Sequence, residues 1–299
     1  MSEGDGSRGS RTLPLVGRGR DLEGLSTLFG AGSDSTPFYL LTGETGIGKS
    51  RLATVICDDA ERRGWQVVRG RAYPVEAGVP YAVFSDALLP LMQSMPEGRL
   101  EVLTRGGHRE LQRLFPPLGE VDYDDEPGAD PGELRTRLYW TFAKLMKGLA
   151  ARQPLLVMLD DIHWAAPSSI GLLHFLVRQE DLGPLRILGT YNTDHREQNP
   201  QLVQMERSLL SLRRLSVHHL EALTASDTSE LIVGTFGTRG HAVDEFAQML
   251  YGWTKGNPYF IEQTLDHLVD TGRLHRRDNT WVGWGTESLE LAPTVLDTV

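Results

Sequence analysis

The chain has 299 residues and a formal net charge of −10, an acidity that excludes a surface built to grip phosphate backbones, so no direct nucleic-acid binding is expected. Cys57 is its single cysteine, which excludes an internal disulfide or a cysteine metal cluster and suits a reducing cytoplasm. No apolar run approaches the roughly 18 to 20 residues of a membrane helix, and the start lacks the apolar core of a signal peptide, so neither a membrane partner nor export is expected.

Residues 1–12, MSEGDGSRGSRT, are glycine, serine and charge and read as a disordered lead-in. From Leu13 onward short apolar strands alternate with longer amphipathic helices, the pattern of an α/β fold with a mostly parallel sheet. The strands are expected at 38–41, 65–70, 155–160, 186–191 and 213–217. Leu134, Leu138, Phe142, Leu145, Met146 and Leu149 recur at helical spacing before Gln153 and Pro154 end the run. The acidic, proline-broken stretch at 121–131 reads as a solvated loop. After Leu223 the strands give way to three helical pieces, then to a hairpin pattern turning at Asp278 and Asn279. The sequence stops at APTVLDTV without a terminating signal, so the parent chain is expected to continue.

The stretch LLTGETGIGKSRL carries G-x-x-x-x-G-K-[ST] as Gly43, Gly48, Lys49 and Ser50, after an apolar strand and before a helix with Leu52, Ala53, Ile56 and Ala60 on its inner face. Glycines at 43, 46 and 48 let backbone amides turn inward around a polyphosphate, and the helix N-terminus adds its positive end. Residues Gly43, Glu44, Thr45, Gly46, Ile47, Gly48, Lys49, Ser50 and Arg51 are therefore the candidate nucleotide cradle. Lys49 would reach the β- and γ-phosphates and the Ser50 hydroxyl would take one position on Mg²⁺.

The run 155–159 is apolar throughout, as in a strand buried on both faces, and ends in Asp160 and Asp161. A carboxylate at that end of a parallel strand faces the edge where open α/β sheets bind ligands. Asp160, expected on the strand beside the cradle, is the candidate Mg²⁺ carboxylate, acting through water. Asp161 is the candidate for orienting the attacking water. His163 and Trp164 read as shaping the loop beside the phosphates.

With these motifs, LPLVGRGRDLEGL upstream and TKGNPYFIEQTLDHLVDTGRL downstream, the chain resembles the STAND class of AAA+-related P-loop ATPases. It is most similar to the N-terminal ATPase module of large LuxR-type transcriptional regulators, a module also fused to bacterial adenylate cyclases and Ser/Thr kinases. The resemblance implies a three-layer α/β/α P-loop fold with a five-stranded, mostly parallel sheet at 13–222. A smaller helical lid follows at 223–299, ending in the start of a winged-helix-like segment. It also implies that Val16, Gly17 and Arg18 line the adenine and ribose pocket, and that Gly256, Asn257 and Pro258 let the lid sense the nucleotide. A helix start with Pro258 in its first turn is the plainer reading of that last trio. Three positions depart from the family pattern: Gly19 and Ala166 stand where relatives carry an acid, and Asn192 where they commonly carry Arg. Asn192 can still donate a hydrogen bond as a polar sensor but brings no positive charge, so hydrolysis is expected to be slow.

The expectation is an ATP/ADP- and Mg²⁺-dependent switch, an ATPase of low turnover, with its C-terminal output domain outside this chain and with nucleotide-dependent self-association. The alternatives are a turnover enzyme, such as a small-molecule kinase or remodelling ATPase, and a structural site that holds ADP without hydrolysis. The acceptor pocket and Arg-rich lid of a kinase and the basic track of a remodeller are not apparent in the pattern, and the lack of an identifiable arginine finger fits a switch better than a motor.

Overall fold

The computed structural model describes residues 13–29, 36–96, 98–104, 107–119, 130–278 and 280–285. The expected lead-in at 1–12, most of the acidic loop at 121–131, hairpin residue Asn279 and the chain end from 286 lie outside the described residues. Contacts divide the chain into two compact units: Asp21–Thr45 with Lys49–Leu220, and the described residues of Met1–Arg20, Gly46–Gly48 and Glu221–Val299.

The first unit is built on a five-stranded sheet. Its strands are β1 (Phe38–Gly43), β2 (Gln66–Arg71), β3 (Leu155–Asp160), β4 (Leu185–Asn192) and β5 (Leu215–His219), in the order β2-β3-β4-β1-β5, every pair parallel. The inner strands β1, β3 and β4 are buried at every position, as their unbroken apolar runs dictate, whereas edge strands β2 and β5 are buried only in part. This order corrects one expectation: β3 is not the neighbour of β1, because β4 is hydrogen-bonded between them. The last strand also starts later than 213, since the amides of Arg213 and Arg214 close the preceding helix on Leu210 and Leu209.

The helices of this unit are α1 (Gly19–Leu25), shared with the boundary, α2 (Lys49–Arg62), α3 (Ala82–Gln93), α4 (Arg99–Thr104), α5 (His108–Leu114), α6 (Pro131–Ala150), α7 (Pro167–Val177) and α8 (Pro200–Ser211). Helix α6 buries Leu138, Phe142, Leu145, Met146 and Leu149, the face its spacing predicts, and Phe142 meets Phe84 of α3 edge-on at 5.1 Å. Helix α2 buries Leu52, Ala53, Ile56, Cys57 and Ala60, which sets the orientation of its first turn. Ala166 caps α7 without a side-chain hydrogen bond, as its missing acid implies. Among the described residues no helix is long and apolar enough to cross a membrane.

The second unit packs α9 (Ala225–Phe236), α10 (His241–Thr254), α11 (Pro258–Asp270) and the antiparallel hairpin β6 (His275–Arg277) and β7 (Thr280–Val282). Thr224 and Asp227 form a capping box that starts α9. The apolar core joins Ile232, Phe246, Leu250, Ile261 and Leu268 to Trp284, and it takes in Leu13 and Val16. The segment from Leu13 to Arg20, expected within the sheet domain, thus clusters with the helices because its apolar side chains find their core there. Gly256 has φ +77°, and a Cβ there would lie 2.0 Å from the Leu223 carbonyl oxygen, whose residue donates its own amide to Gly256 at 2.9 Å. Only glycine fits that approach.

Candidate functional site

Strand β1 ends at Gly43 and α2 begins at Lys49, so the glycine-rich stretch is the turn between them. Gly46 and Gly48 take φ of +79° and +97°, which the turn needs and side chains resist. Lys49 is buried, and its Nζ donates to the carbonyl oxygens of Gly43 at 2.9 Å and Glu44 at 2.7 Å. Burial pushes its pKa down, opposed by the carboxylates of Asp161, Asp194, Asp160 and Glu44. A cation is thus held ready inside an acidic surround.

The Ser50 hydroxyl donates to Asp160 Oδ1 at 2.9 Å, reaching past the intervening β4. Thr190 of β4 donates to the same oxygen at 2.5 Å and also receives the Asp161 amide at 2.9 Å. Asp161 sits in the left-handed region at φ +55°, and its Oδ2 accepts from Arg71 Nη2 at 2.8 Å. Arg71 Nε lies 3.9 Å from Asp160 Oδ2. Asn192 ends β4, donates its amide to the Thr45 hydroxyl and accepts the Asp194 N–H at 3.0 Å. Asp194 in turn places Oδ2 at 3.5 Å from both the amide and the hydroxyl of Thr45.

The hydroxyl of Ser50 and the carboxylate of Asp160 are hard oxygen donors side by side, a set that suits Mg²⁺ completed by water and phosphate oxygens. Among the described residues no group of three or more His, Cys, Asp or Glu could hold a metal by itself.

Apart from Arg51, which is in the sheet unit, the remaining candidates lie in the helical unit. Arg18 is buried and donates to the carbonyl oxygens of Glu221 and Ile47, both at 2.8 Å. Val16 is in the apolar core, and a Cβ on Gly17 would lie 2.6 Å from the Asp227 carboxyl carbon. Asn257 caps α11 by accepting the Tyr259 amide at 3.1 Å, with Pro258 in the first turn, which is the helix start the plainer reading gives. The same amide also points at the Gly46 carbonyl at 3.2 Å. Arg51 is half-buried in the first turn of α2. Lys49, Ser50, Asp160, Asp161 and Asn192 are brought together in the sheet unit; Val16, Gly17, Arg18 and Pro258 are not part of that group. Pattern reasoning missed Arg71, Thr190 and Asp194.

A family model described as an AAA ATPase domain matches residues 14–188. This chain belongs to that family. It is similar to an uncharacterized protein of Rhizobium meliloti (strain 1021), 25% identical over 178 residues, or 54% of this chain and 17% of that protein. The chain therefore spans about a sixth of that relative's length. Among solved structures it is similar to the ORC2 protein of Aeropyrum pernix, with a TM-score of 0.52 and 14% identity over 97% of this chain and 70% of that one. It is also similar to Cdc6p of Pyrobaculum aerophilum, with a TM-score of 0.52 and 15% identity over 89% and 65%. At these identities the two structures speak for the fold, a P-loop α/β sheet with flanking helices.

Behind the acids of this AAA ATPase domain, His163 lies buried and stacks on His195 with ring centroids 5.5 Å apart, while its Nδ1 accepts the Asn192 amide at 3.4 Å. Burial, then the His195 ring and the Lys49 cation, push its pKa down to about 4, against the pull of Asp160. A depressed folded pKa means the unfolded chain binds the proton first, so stability is full above about pH 6.5 and falls as pH drops towards 4. The loss should reach about 2 to 3 kcal/mol. Urea unfolding of wild type and His163→Gln at pH 7.5 and 5 checks this: the wild type should lose more stability on acidification, and parallel losses would remove the assignment.

Proposed function

We propose that this domain binds ATP with Mg²⁺ and hydrolyses it slowly, as a nucleotide-operated switch of the STAND type. The observation that carries the reading is the closure of Ser50 onto Asp160 at 2.9 Å, beside the buried ammonium of Lys49. That arrangement sets a cation held by the Gly43 and Glu44 carbonyls next to a hydroxyl bonded to a strand-end carboxylate, the positioning and charge that phosphoryl transfer asks for. The Aeropyrum pernix ORC2 structure holds ADPNP and ADP, the class of ligand proposed here.

Loop amides at 43–50 would cradle the phosphates, and Lys49 would trade its two carbonyl acceptors for phosphate oxygens. Ser50 and, through water, Asp160 would hold Mg²⁺, which when bound neutralises charge on the β- and γ-phosphates. Asp161 would orient the attacking water once Arg71 yields its hold, and Asn192 would exchange the Thr45 hydroxyl for the terminal phosphate. Gly46–Gly48 belong to the helical unit, where Arg18 binds the Ile47 carbonyl and the Tyr259 amide faces Gly46.

The Val16 to Arg18 segment would contribute to recognition of the base and ribose, and Pro258 to nucleotide sensing. A cytoplasmic location, an output domain of a LuxR-type or related regulator on the same polypeptide, and nucleotide-dependent self-association complete the proposal. The ion pair that occupies Asp161 favours a second reading, in which ADP is held without turnover. Mass spectrometry of nucleotide released from freshly purified protein, followed by a single-turnover assay with Mg-ATP, decides between them. Bound nucleotide with slow turnover is the expected result; ADP without turnover selects the second reading, and fast steady turnover overturns the switch.

A further inference from the structure

An acid beyond the end of β4 lies against the glycine-rich loop, and the roles above leave it unused. Asp194 follows the end of β4 and is solvent-exposed, yet its carboxylate rests on the amide and hydroxyl of Thr45, at 3.5 Å from each. Asn192 fixes it there by accepting the Asp194 amide at 3.0 Å while donating to the same Thr45 hydroxyl. Two contacts at 3.5 Å are electrostatic neighbours rather than firm hydrogen bonds, so the carboxylate is held close without being locked.

We propose that Asp194 sets the preference of the site between nucleoside diphosphate and triphosphate. The inference rests on the nucleotide reading above. Thr45 meets the end of β4 through the Asn192 side chain, and Thr190 of the same strand holds Asp160 and the Asp161 amide. A terminal phosphate that took up the Thr45 amide would approach the Asp194 carboxylate, and a diphosphate lacking that group would not. Two like charges then share the Thr45 amide as acceptors, a repulsion that a diphosphate avoids. Asp194 is also among the carboxylates that support the Lys49 cation, an effect common to both ligands, so the discrimination comes from its repulsion of the third phosphate. Because the residue is exposed, the discrimination should be moderate and sensitive to salt.

The test compares Asp194→Asn and Asp194→Ala with wild type by calorimetry, using the β,γ-imido analogue of ATP and ADP, each with Mg²⁺, at low salt and at 0.5 M KCl. Asp194→Asn keeps an oxygen facing Thr45 and removes only the charge. Both variants should bind the triphosphate analogue about five- to tenfold more tightly relative to ADP, and the gain should shrink at high salt. An unchanged ratio in Asp194→Asn, or a change in Asp194→Ala alone, overturns the role of the charge. A lower triphosphate affinity in Asp194→Asn overturns it as well, since the carboxylate would then be helping the ligand. Wild-type protein that binds neither nucleotide removes the nucleotide reading itself, and this inference with it.

Discussion

Lys49→Ala is expected to lower affinity for Mg-ATP by about a hundredfold or more while leaving the fold intact. The ammonium is buried against two carbonyl oxygens of its own loop, so the protein already bears the cost of desolvating it. Charge-assisted contacts to phosphate are worth about 1.5 to 3 kcal/mol each, and Lys49 would make contacts to more than one oxygen. Removing it also leaves the carboxylates of Asp160, Asp161 and Asp194, all of which act on its cation, facing the phosphates without a counter-charge. Thermal stability should hold or rise, because a depressed lysine pKa marks a cation whose burial is unfavourable in the folded chain. Lys49→Arg should bind poorly too, since a planar fork cannot replace a point charge within so tight a turn. Calorimetry with Mg-ATP beside a melting curve reads both effects. Affinity within threefold of wild type would end the cradle assignment.

Much of this arrangement is legible in the residue pattern because it is local. The apolar runs of β1, β3 and β4 announce strands buried on both faces, and the glycine spacing before Lys49 announces the turn. The face of α6 follows from its spacing. What is not legible depends on sheet order, which no short-range spacing encodes. Strand β4 enters between β1 and β3, so Thr190 rather than solvent receives the Asp161 amide and supports Asp160. Strand β2 pairs with β3 in a register that sets Arg71 beside Asp160, and only that pairing brings its guanidinium to Asp161. Asp194 falls two residues after Asn192, in a turn whose direction is set by the Asn192 side chain. Leu13 and Val16 look like the entrance to the sheet domain, yet their apolar partners lie on α9 to α11 and become visible only once those helices assemble.

Asp161→Asn should leave Mg-ATP affinity within about threefold of wild type and slow phosphate release by about a hundredfold or more, the range for loss of a positioned base. Asparagine is the informative replacement for two structural reasons. Asp161 holds φ +55°, and asparagine is among the few residues that tolerate this region, so the backbone turn is preserved. The amide oxygen can still accept from Arg71, so the 2.8 Å contact loses charge without losing its shape. Any drop in rate then reports the missing charge near the attacking water rather than a displaced strand end. The ion pair itself contributes little to folding, because Arg71 is about half exposed and screened by solvent. A single-turnover assay under saturating Mg-ATP separates chemistry from binding. Full activity would remove Asp161 from the reaction and leave Asp194, the acid after β4 that rests on Thr45, as the group to test next; loss of binding together with rate would instead place Asp161 in the grip on the nucleotide.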